Sequence, residues 1–359
     1  MNDISRDVLA VSAPIGATKK VALEESAHAV LLPVVGDLKV EPWLDEALAR
    51  GTVAVLIAET RDEYVARRMS PARRRSETRA DIQGFADSVR VAVGGPALVA
   101  LDQEPWGIQR LHDLVKGFPI AAELTAMSDA EIASSARGVA TGAREMGVNM
   151  FLSPVVDVLV GENPWLQGRT LDLDPREVGR IAAAFVRGVQ EAGVVAVAKH
   201  FPGYPELAED PALHDTFVAT FQSRETDLDP FVQVVRAGVL GVLTGPAIVA
   251  AVDPDQPSST SASTIDLLRG EIGFSGLVVS DDLEAPSTTR GRSLSETAVA
   301  SLAAGTDLLL VGGGPEIGHI TEALVDCAST DEAFSERLIQ AADRVRGLAV
   351  RIDGPHGHA

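Results

Sequence analysis

The chain has 359 residues, and its 51 Asp and Glu against 31 Lys and Arg give a formal net charge of −20. Hydrophobic residues make up 46% and charged residues 23% of the chain, which is typical of a globular protein and excludes bulk disorder. The acidity argues against nucleic acid or an anionic membrane as partner, because both require a positive face. We expect a soluble, cytoplasmic protein, since the single Cys327 cannot close a disulfide within the chain and no apolar run reaches the ~18 residues of a membrane span.

Short apolar runs alternate with longer amphipathic stretches along the chain. Eight of these runs are rich in β-branched residues and are bounded by glycine, proline or charge. They are apolar on both faces, which is typical of buried strands in a parallel sheet. The predicted strands span residues 29–35, 53–57, 97–101, 150–156, 194–198, 241–243, 277–279 and 307–311.

Helical patterns lie between the predicted strands, for example over residues 129–146, 175–192 and 293–304. The second of these begins with Asp174 before Pro175, a typical N-cap and first residue, and stops at Gly193. Eight strands alternating with helices favour an α/β fold with a single (β/α)8 TIM-type barrel domain, and a doubly wound sheet is the alternative. We expect an N-terminal extension over residues 1–28, the barrel over 29–345 and a C-terminal tail over 346–359.

Polar and charged side chains directly follow several of the predicted strands. In a barrel the C-terminal ends of the strands meet at one mouth, where the chemistry of this architecture takes place. Buried charges are costly unless they pair or bind a ligand, so several at one mouth indicate a site. The residues concerned are Asp102, Gln103, Glu104, Ser153, Asp157, Arg169, Lys199, His200, Ser280, Asp281 and Asp282.

Two long motifs carry a resemblance to a known family. Residues 199–203 read KHFPG and residues 273–283 read GFSGLVVSDDL, and together they resemble glycoside hydrolase family 3, more narrowly its single-barrel β-N-acetylhexosaminidases. Residues 102–104 and 109–110 match the strand-three motif of that family in part. The resemblance implies a retaining β-glycosidase that acts through a covalent glycosyl-enzyme intermediate on a β-linked hexosaminide, with or without an N-acetyl group. It implies a small-molecule or oligosaccharide substrate and neither metal nor cofactor.

The resemblance also assigns roles to individual residues. The nucleophile of the family is the Asp that follows the Ser of the second motif, which is Asp281 here, and the adjacent Asp282 is the rival by chemistry. Cations together with a carboxylate suit a polyol, which offers both hydrogen-bond donors and acceptors. The residues expected to bind sugar hydroxyls are Asp102, Arg110, Arg169, Lys199 and His200.

The acid/base of the hexosaminidase branch is a His two residues after an Asp, on the loop that follows strand five. Counted forward from Lys199, the Asp position is Asp210 and the His position is Ala212. Counted backward from residues 223–225, the His position is His214. A two-residue insertion reconciles the counts, so we predict His214 as the acid/base, with Asp210 or Asp215 as its partner.

Several further positions depart from the family pattern. Pro105-Trp106 replaces a Gly-Gly pair, Tyr204-Pro205 replaces His-Gly, and Gly245-Pro246 replaces Ala-His. Trp106 would either stack on a sugar or cap the mouth of the barrel. The alternatives to a hydrolase are a sugar-binding barrel with impaired catalysis, a glycoside phosphorylase and a Schiff-base lyase on Lys199. We expect a monomer or a weak homodimer.

Overall fold

The structure is a computed structural model that describes residues 15–171, 174–219, 221 and 224–354. The strands in these residues are β1 Leu31–Val35, β2 Ala54–Ile57, β3 Leu98–Leu101, β4 Met150–Phe151, β5 Val195–Phe201, β6 Phe217–Val218, β7 Gly241–Thr244, β8 Ile248–Val249, β9 Leu277–Val279 and β10 Leu309–Val311. All eight predicted strands are present, and β6 and β8 form an additional two-stranded sheet.

Eight parallel strands form one sheet in the order β10-β1-β2-β3-β4-β5-β7-β9. A parallel bridge between Val279 and Leu308 joins the two ends of this order, so the sheet closes on itself. A doubly wound sheet would have two open edges, and the closed ring therefore excludes that alternative. The predicted single-domain (β/α)8 barrel is confirmed.

Helices surround the barrel. In the described part of the chain they are α1 Ile15–Ala29, α2 Pro42–Ala49, α3 Arg61–Ala66, α4 Pro71–Ser76, α5 Arg79–Val93, α6 Ala121–Leu124, α7 Asp129–Arg144, α8 Pro175–Glu191, α9 Arg224–Asp227, α10 Asp229–Arg236, α11 Ala262–Asp266, α12 Pro286–Thr289, α13 Leu294–Ala304, α14 Glu316–Thr330 and α15 Glu332–Asp353. None of these helices is long and apolar enough to cross a bilayer.

The boundaries of α8 follow from local sequence. The Asp174 carboxylate accepts hydrogen bonds from the N–H groups of Arg176 and Glu177, and Pro175 occupies the first turn, where it needs no N–H partner. After the helix, Gly193 has a φ of +74°, which only glycine adopts without strain. The predicted start and stop of this helix are confirmed.

The last helix, α15, covers the N-terminal end of the barrel. Its apolar side chains Val345, Ala349 and Ile352 belong to the same buried cluster as the strand residues that fill the barrel interior. The Asp353 carboxylate at its end accepts hydrogen bonds from Arg90 (2.7 Å) and from the N–H of Ala97, at the start of β3. The opposite, C-terminal end of the barrel is left for the site.

The predicted extension and tail contain packed helices. Helix α1 covers residues 15–29 and contacts α14 and α15, and the predicted tail begins within α15. The remainder of these two segments, residues 1–14 and 355–359, lies outside the described residues.

Candidate active site

A cavity of about 260 Å³ opens at the C-terminal ends of the strands. Its aliphatic floor includes Val34, Leu56 and Leu152, which extend the barrel interior. The polar and aromatic groups around it are Glu59, Thr60, Arg61, Tyr64, Asp102, Trp165, Arg169, Lys199, His200, Asp281 and Asp282. Five of the predicted site residues, Asp102, Arg169, Lys199, His200 and Asp281, are therefore brought together, as barrel topology requires.

One side of the cavity is a network of charges, which we call the cation-paired wall and which consists of Asp102, Glu104, Arg169 and Lys199. Glu104 is fully buried and accepts two hydrogen bonds from the Arg169 guanidinium, at 2.6 and 3.2 Å. Lys199 Nζ lies 2.8 Å from Glu104 Oε1 and also binds the Asp102 carboxylate. The residues come from the loops or ends of β3, β4 and β5, which are neighbours in the ring.

The two cations set the ionisation of Glu104. Burial by itself would raise the pKa of this carboxyl, but the positive charges of Arg169 and Lys199 lower it to about 2. Burial acts in the opposite sense on Lys199, yet the carboxylates of Asp102 and Glu104 raise its pKa. Glu104, Arg169 and Lys199 are therefore charged at neutral pH, and charge-assisted hydrogen bonds fix the wall.

His200 presents a defined tautomer to the cavity. Its Nδ1 lies 2.9 Å from the Asp157 carboxylate, and its ring packs on Trp165 with 4.3 Å between centroids. Burial and the nearby charges of Arg169 and Lys199 lower the pKa of His200 well below its usual value, so the ring is neutral. When Asp157 is ionised it can only accept, so Nδ1 carries the proton and Nε2 keeps a lone pair. His200 is thus a hydrogen-bond acceptor at this position.

Asp281 follows β9, whose last residue is Val279. Its backbone N–H donates to Ser259 Oγ (3.0 Å), and its Oδ1 accepts the N–H of Asp282 (2.8 Å). Its Oδ2 is buried and has no hydrogen-bond partner among the described residues. Burial, followed by the adjacent Asp282 carboxylate, raises the pKa of Asp281 to about 7. The site therefore holds a carboxylate oxygen to which no described residue donates a hydrogen bond.

Several lining residues are not among those predicted from the sequence, and Glu59, Tyr64 and Trp165 matter most for the chemistry. Glu59 stands two residues after the end of β2, and its Oε2 is buried without a hydrogen-bond partner in the described part of the chain. Tyr64 and Trp165 are joined by a 2.9 Å hydrogen bond from the indole N–H to the phenol oxygen. Glu59 shows the signal used for Asp102, a charge directly after an apolar strand. Trp165 lies in a long loop, and its sequence position gives no such signal.

Comparison with known proteins assigns the family. The model of the glycosyl hydrolase family 3 N-terminal domain matches residues 24–348. A curated β-hexosaminidase of Xylella fastidiosa is 32% identical over 251 residues, which are 67% of this chain and 74% of that one. Another, of Nitrosomonas eutropha, is 28% identical over 276 residues, or 74% and 79% of the two chains.

Among solved structures, a β-N-acetylhexosaminidase of Beutenbergia cavernae superposes with a TM-score of 0.80 at 25% identity, and the match covers 91% of this chain and 98% of that one. The chain belongs to glycosyl hydrolase family 3. The predicted enzyme class, a retaining β-glycosidase of this family, is confirmed, and the comparisons favour neither a phosphorylase nor an impaired sugar-binding barrel.

The loop after β5 differs from the prediction made from the family pattern. The His214 side chain is 53% exposed, and its Nδ1 lies 3.8 Å from Glu209. Asp210 accepts the Ala212 N–H (2.9 Å) and contacts Arg67 (3.4 Å). Ala212, the position reached by counting forward, lines the cavity. The structure thus brings neither member of the predicted dyad into the cavity.

The alternative partner of His214 and the predicted Arg110 contact are also outside the cavity. Asp215 pairs with Arg290 at 2.5 Å. Arg110 is fully buried, donates two hydrogen bonds to Glu77 (2.6 and 2.8 Å) and one to the carbonyl oxygen of Ala58 (2.9 Å). These three hydrogen bonds hold Ala58, after β2, to Glu77, the residue that follows α4, so Arg110 orders the segment that precedes Glu59.

Two departures from the family pattern compensate each other. Tyr204, which replaces the family His, is buried, and its hydroxyl bonds to Ala247 O and Ser258 Oγ, both at 2.9 Å. A Cβ on Gly245 would lie 2.1 Å from the Tyr204 ring, so glycine at the family's Ala position makes room for the larger side chain. Pro246, in place of the second His, lines the cavity. Trp106 packs on the core and is not a lining residue.

No group of three or more His, Cys, Asp or Glu side chains with an arrangement suited to a metal ion occurs in the described ranges. The carboxylates of the cation-paired wall already have lysine and arginine as partners.

Proposed function

We propose that this protein hydrolyses β-linked N-acetylhexosaminides with retention of configuration and that Asp281 is the nucleophile. The observation that carries the proposal is the buried Asp281 Oδ2 without a partner in the described residues, in the wall of a cavity that a polyol-binding network lines. A nucleophilic carboxylate needs one oxygen free to attack the anomeric carbon, and a hydrogen bond to the other oxygen holds its orientation. The Asp282 N–H supplies that hydrogen bond.

The cation-paired wall suits the hydroxyl groups of one sugar ring. Asp102 can accept from two hydroxyls, Lys199 can donate, and the buried Arg169 Nη1 has no partner of its own in the described chain. His200 Nε2 adds an acceptor. Each hydroxyl both donates and accepts, so alternating carboxylate and cation atoms can satisfy a vicinal pair.

The cavity favours a single sugar residue. Its volume of about 260 Å³ lies just below the ~300–1,000 Å³ of ordinary small-molecule sites. Trp165 and Tyr64 border it with aromatic surface, which packs on the apolar face of a pyranose. We therefore infer that the enzyme removes one residue from a chain end.

The names of the relatives support the N-acetylated substrate: two are β-hexosaminidases and the structural neighbour is a β-N-acetylhexosaminidase. Time-resolved NMR of paired aryl β-glycosides, with and without the N-acetyl group, tests substrate and stereochemistry together. We expect the N-acetylated member to react and the β-anomer to form first. Initial formation of the α-anomer would contradict the retaining assignment for this chain.

Asp281→Asn and Asp282→Asn are a matched pair that tests the nucleophile. Each removes one charge at the end of β9 and preserves shape. We expect Asp281→Asn to lower turnover by at least about 10⁴-fold and Asp282→Asn to have a much smaller effect. After trapping with a fluorinated glycoside, the label should be on the peptide that spans residues 277–283. A label on another peptide would overturn the assignment.

The cytoplasmic location and the monomeric or weakly dimeric state stay predictions. Cell fractionation and size-exclusion chromatography with light scattering check them.

A further inference from the structure

In this structure the histidine that the family pattern predicts as the proton donor lies outside the cavity. Protonation of the leaving group requires an acid within hydrogen-bond reach of the glycosidic oxygen. The exposed side chain of His214 contacts Glu209, and the Ala212 methyl group stands at the cavity. Among the described lining residues, Lys199 and Arg169 are cations held by Asp102 and Glu104, and neutral His200 already donates its proton to Asp157.

Glu59 has the placement that such a donor needs. It stands two residues beyond the end of β2, as Asp281 stands two residues beyond the end of β9, so the two carboxyls extend from corresponding positions of the mouth. In the closed ring β10 and β1 lie between these strands, so Glu59 and Asp281 stand three strand positions apart around the mouth. Its buried Oε2 has no hydrogen-bond partner in the described part of the chain.

We propose that Glu59 is the general acid and base of this enzyme, in the role that a histidine on the loop after β5 was predicted to fill. This inference rests on the proposed function. A retaining enzyme needs its acid on the side of the glycosidic bond opposite the nucleophile. Asp282 also lines the cavity, but it adjoins Asp281 at the end of β9 and accepts the Glu284 N–H, so it lies on the nucleophile's side.

The reaction has two steps, and Glu59 and Asp281 take part in both. In the first, Asp281 Oδ2 gives an electron pair to the anomeric carbon, the bond from that carbon to the leaving oxygen breaks with its pair on oxygen, and protonated Glu59 gives that oxygen its proton. In the second, Glu59 takes a proton from water while the water oxygen bonds to the anomeric carbon. The bond to Asp281 then breaks with its pair on the carboxylate. Both carboxyls return to their initial states.

The surroundings of Glu59 support its protonated form. Burial, and then the negative charge of Asp102, raise its pKa to about 7, although Lys199 acts in the opposite direction. The acid must be protonated, so cleavage of alkyl glycosides should fall as the pH rises above about 7. The charged or titratable side chains that share the cavity are Arg61, Tyr64, Asp102, Arg169, Lys199, His200, Asp281 and Asp282.

Leaving-group dependence in Glu59→Gln, compared with His214→Ala, tests the proposal. An alkyl glycoside needs the proton, whereas a dinitrophenyl glycoside leaves without it. For Glu59→Gln we expect kcat/KM to fall by about 10²–10⁴-fold on the alkyl substrate and by much less on the dinitrophenyl one. His214→Ala should resemble the wild type on both. The wild type should lose the high-pH decline of kcat/KM when the dinitrophenyl substrate is used.

Azide rescue of Glu59→Ala adds a readout that a purely structural role would not produce. Azide should enter the space of the missing carboxyl and attack the glycosyl-enzyme, which gives the β-glycosyl azide. In Asp281→Ala, azide would replace the nucleophile and give the α-azide, so the two roles are separable. Glu59→Asp serves if the alanine variant does not fold, and its shorter reach should give the same leaving-group dependence in weaker form.

Three results would overturn the inference. Equal loss on both substrates without azide rescue would make Glu59 a sugar-binding residue. A leaving-group-dependent loss in His214→Ala alone would restore the loop histidine. The same loss in Asp282→Asn alone would assign the acid to β9. In each case the retained stereochemistry and the Asp281 label would stand, so failure of this inference differs from failure of the proposed function.

Discussion

The cation-paired wall and the side of the cavity formed after β2 and β9 treat carboxylates in opposite ways. Glu104 is in direct contact with two cations, and its pKa is lowered to about 2. Glu59 and Asp281 line the same mouth without a contacting cation, each with one buried carboxyl oxygen, and the pKa of each is raised to about 7. Direct contact with a cation therefore separates carboxyls that remain charged from carboxyls that can gain or lose a proton near neutral pH.

The pair Asp157 and His200 refines this comparison. Asp157 accepts the N–H groups of His200 and Tyr204 and the His200 ring, yet burial still raises its pKa to about 7. Hydrogen bonds from neutral donors thus offset burial less than the contacts of Arg169 and Lys199 do at Glu104. Contacting cations keep the Glu104 carboxylate charged and fixed, whereas the carboxyls that can exchange a proton near neutral pH have no contacting cation.

The largest loss of stability should come from Lys199→Met, which breaks the cation-paired wall. The change keeps the aliphatic stem and removes the charge that Asp102 and Glu104 share. Loss of one partner from a buried charge network costs about 3–5 kcal/mol, so the unfolding free energy should fall by that amount. Urea denaturation at pH 7 measures it. Lys116→Met at an exposed position is the control and should stay within about 0.5 kcal/mol. A loss as small as that of the control would mean that the wall does not depend on Lys199.

On the other side of the cavity, removal of a charge is expected to raise the free energy of unfolding. Because the folded-state pKa of Asp281 is raised, folding loses stability as the pH rises from about 4 to about 7, where the folded protein must give up this proton. Asp281→Asn removes that penalty, so the variant should be more stable than the wild type by about 2 kcal/mol at pH 8, and by less at pH 5.

Thermal and urea unfolding at both pH values check this expectation. Asp87→Asn, at an exposed position of α5, is the control and should show no pH-dependent gain. A destabilised Asp281→Asn at pH 8 would mean that the Asp281 carboxylate makes a stabilising contact, and the contrast between the two sides of the cavity would fail.

Much of the barrel could be predicted from sequence, because its strands are buried on both faces and therefore continuously apolar. The helix α8 is marked at both ends by Asp174 and Gly193, whose effects are local. Lys199 and His200, at the end of β5, and Asp281, just after β9, could be predicted because topology alone brings strand ends together.

The placement of the other predicted site residues depends on tertiary packing, which the spacing of residues along the sequence does not encode. Arg110 matches a family motif, but whether its guanidinium meets a sugar or Glu77 depends on where α4 and its C-terminal flank lie. Insertion counts in the loop after β5 decide which residue aligns, whereas the loop conformation decides which side chain reaches the cavity. Ala212 does so, and His214 does not.

The smallest loss of stability is expected at the glycine that follows Pro105-Trp106. A Cβ on Gly107 would lie 2.0 Å from Glu104 Oε2, which accepts the Ile108 N–H (2.8 Å) and contacts Arg169. In Gly107→Ala the buried carboxylate must move, so we expect a loss of about 1–2 kcal/mol and weaker sugar binding, seen as a higher KM. Urea denaturation and steady-state kinetics measure the two effects.

Gly84→Ala, on the exposed face of α5 with no atom near the added methyl, is the matched control. It should stabilise the protein by about 0.5–1 kcal/mol and leave KM unchanged, because alanine favours the helix. If Gly107→Ala followed the control in both stability and KM, the position of Glu104 would not matter to the sugar. The fixed geometry of the cation-paired wall would then not be what orients the substrate toward Asp281.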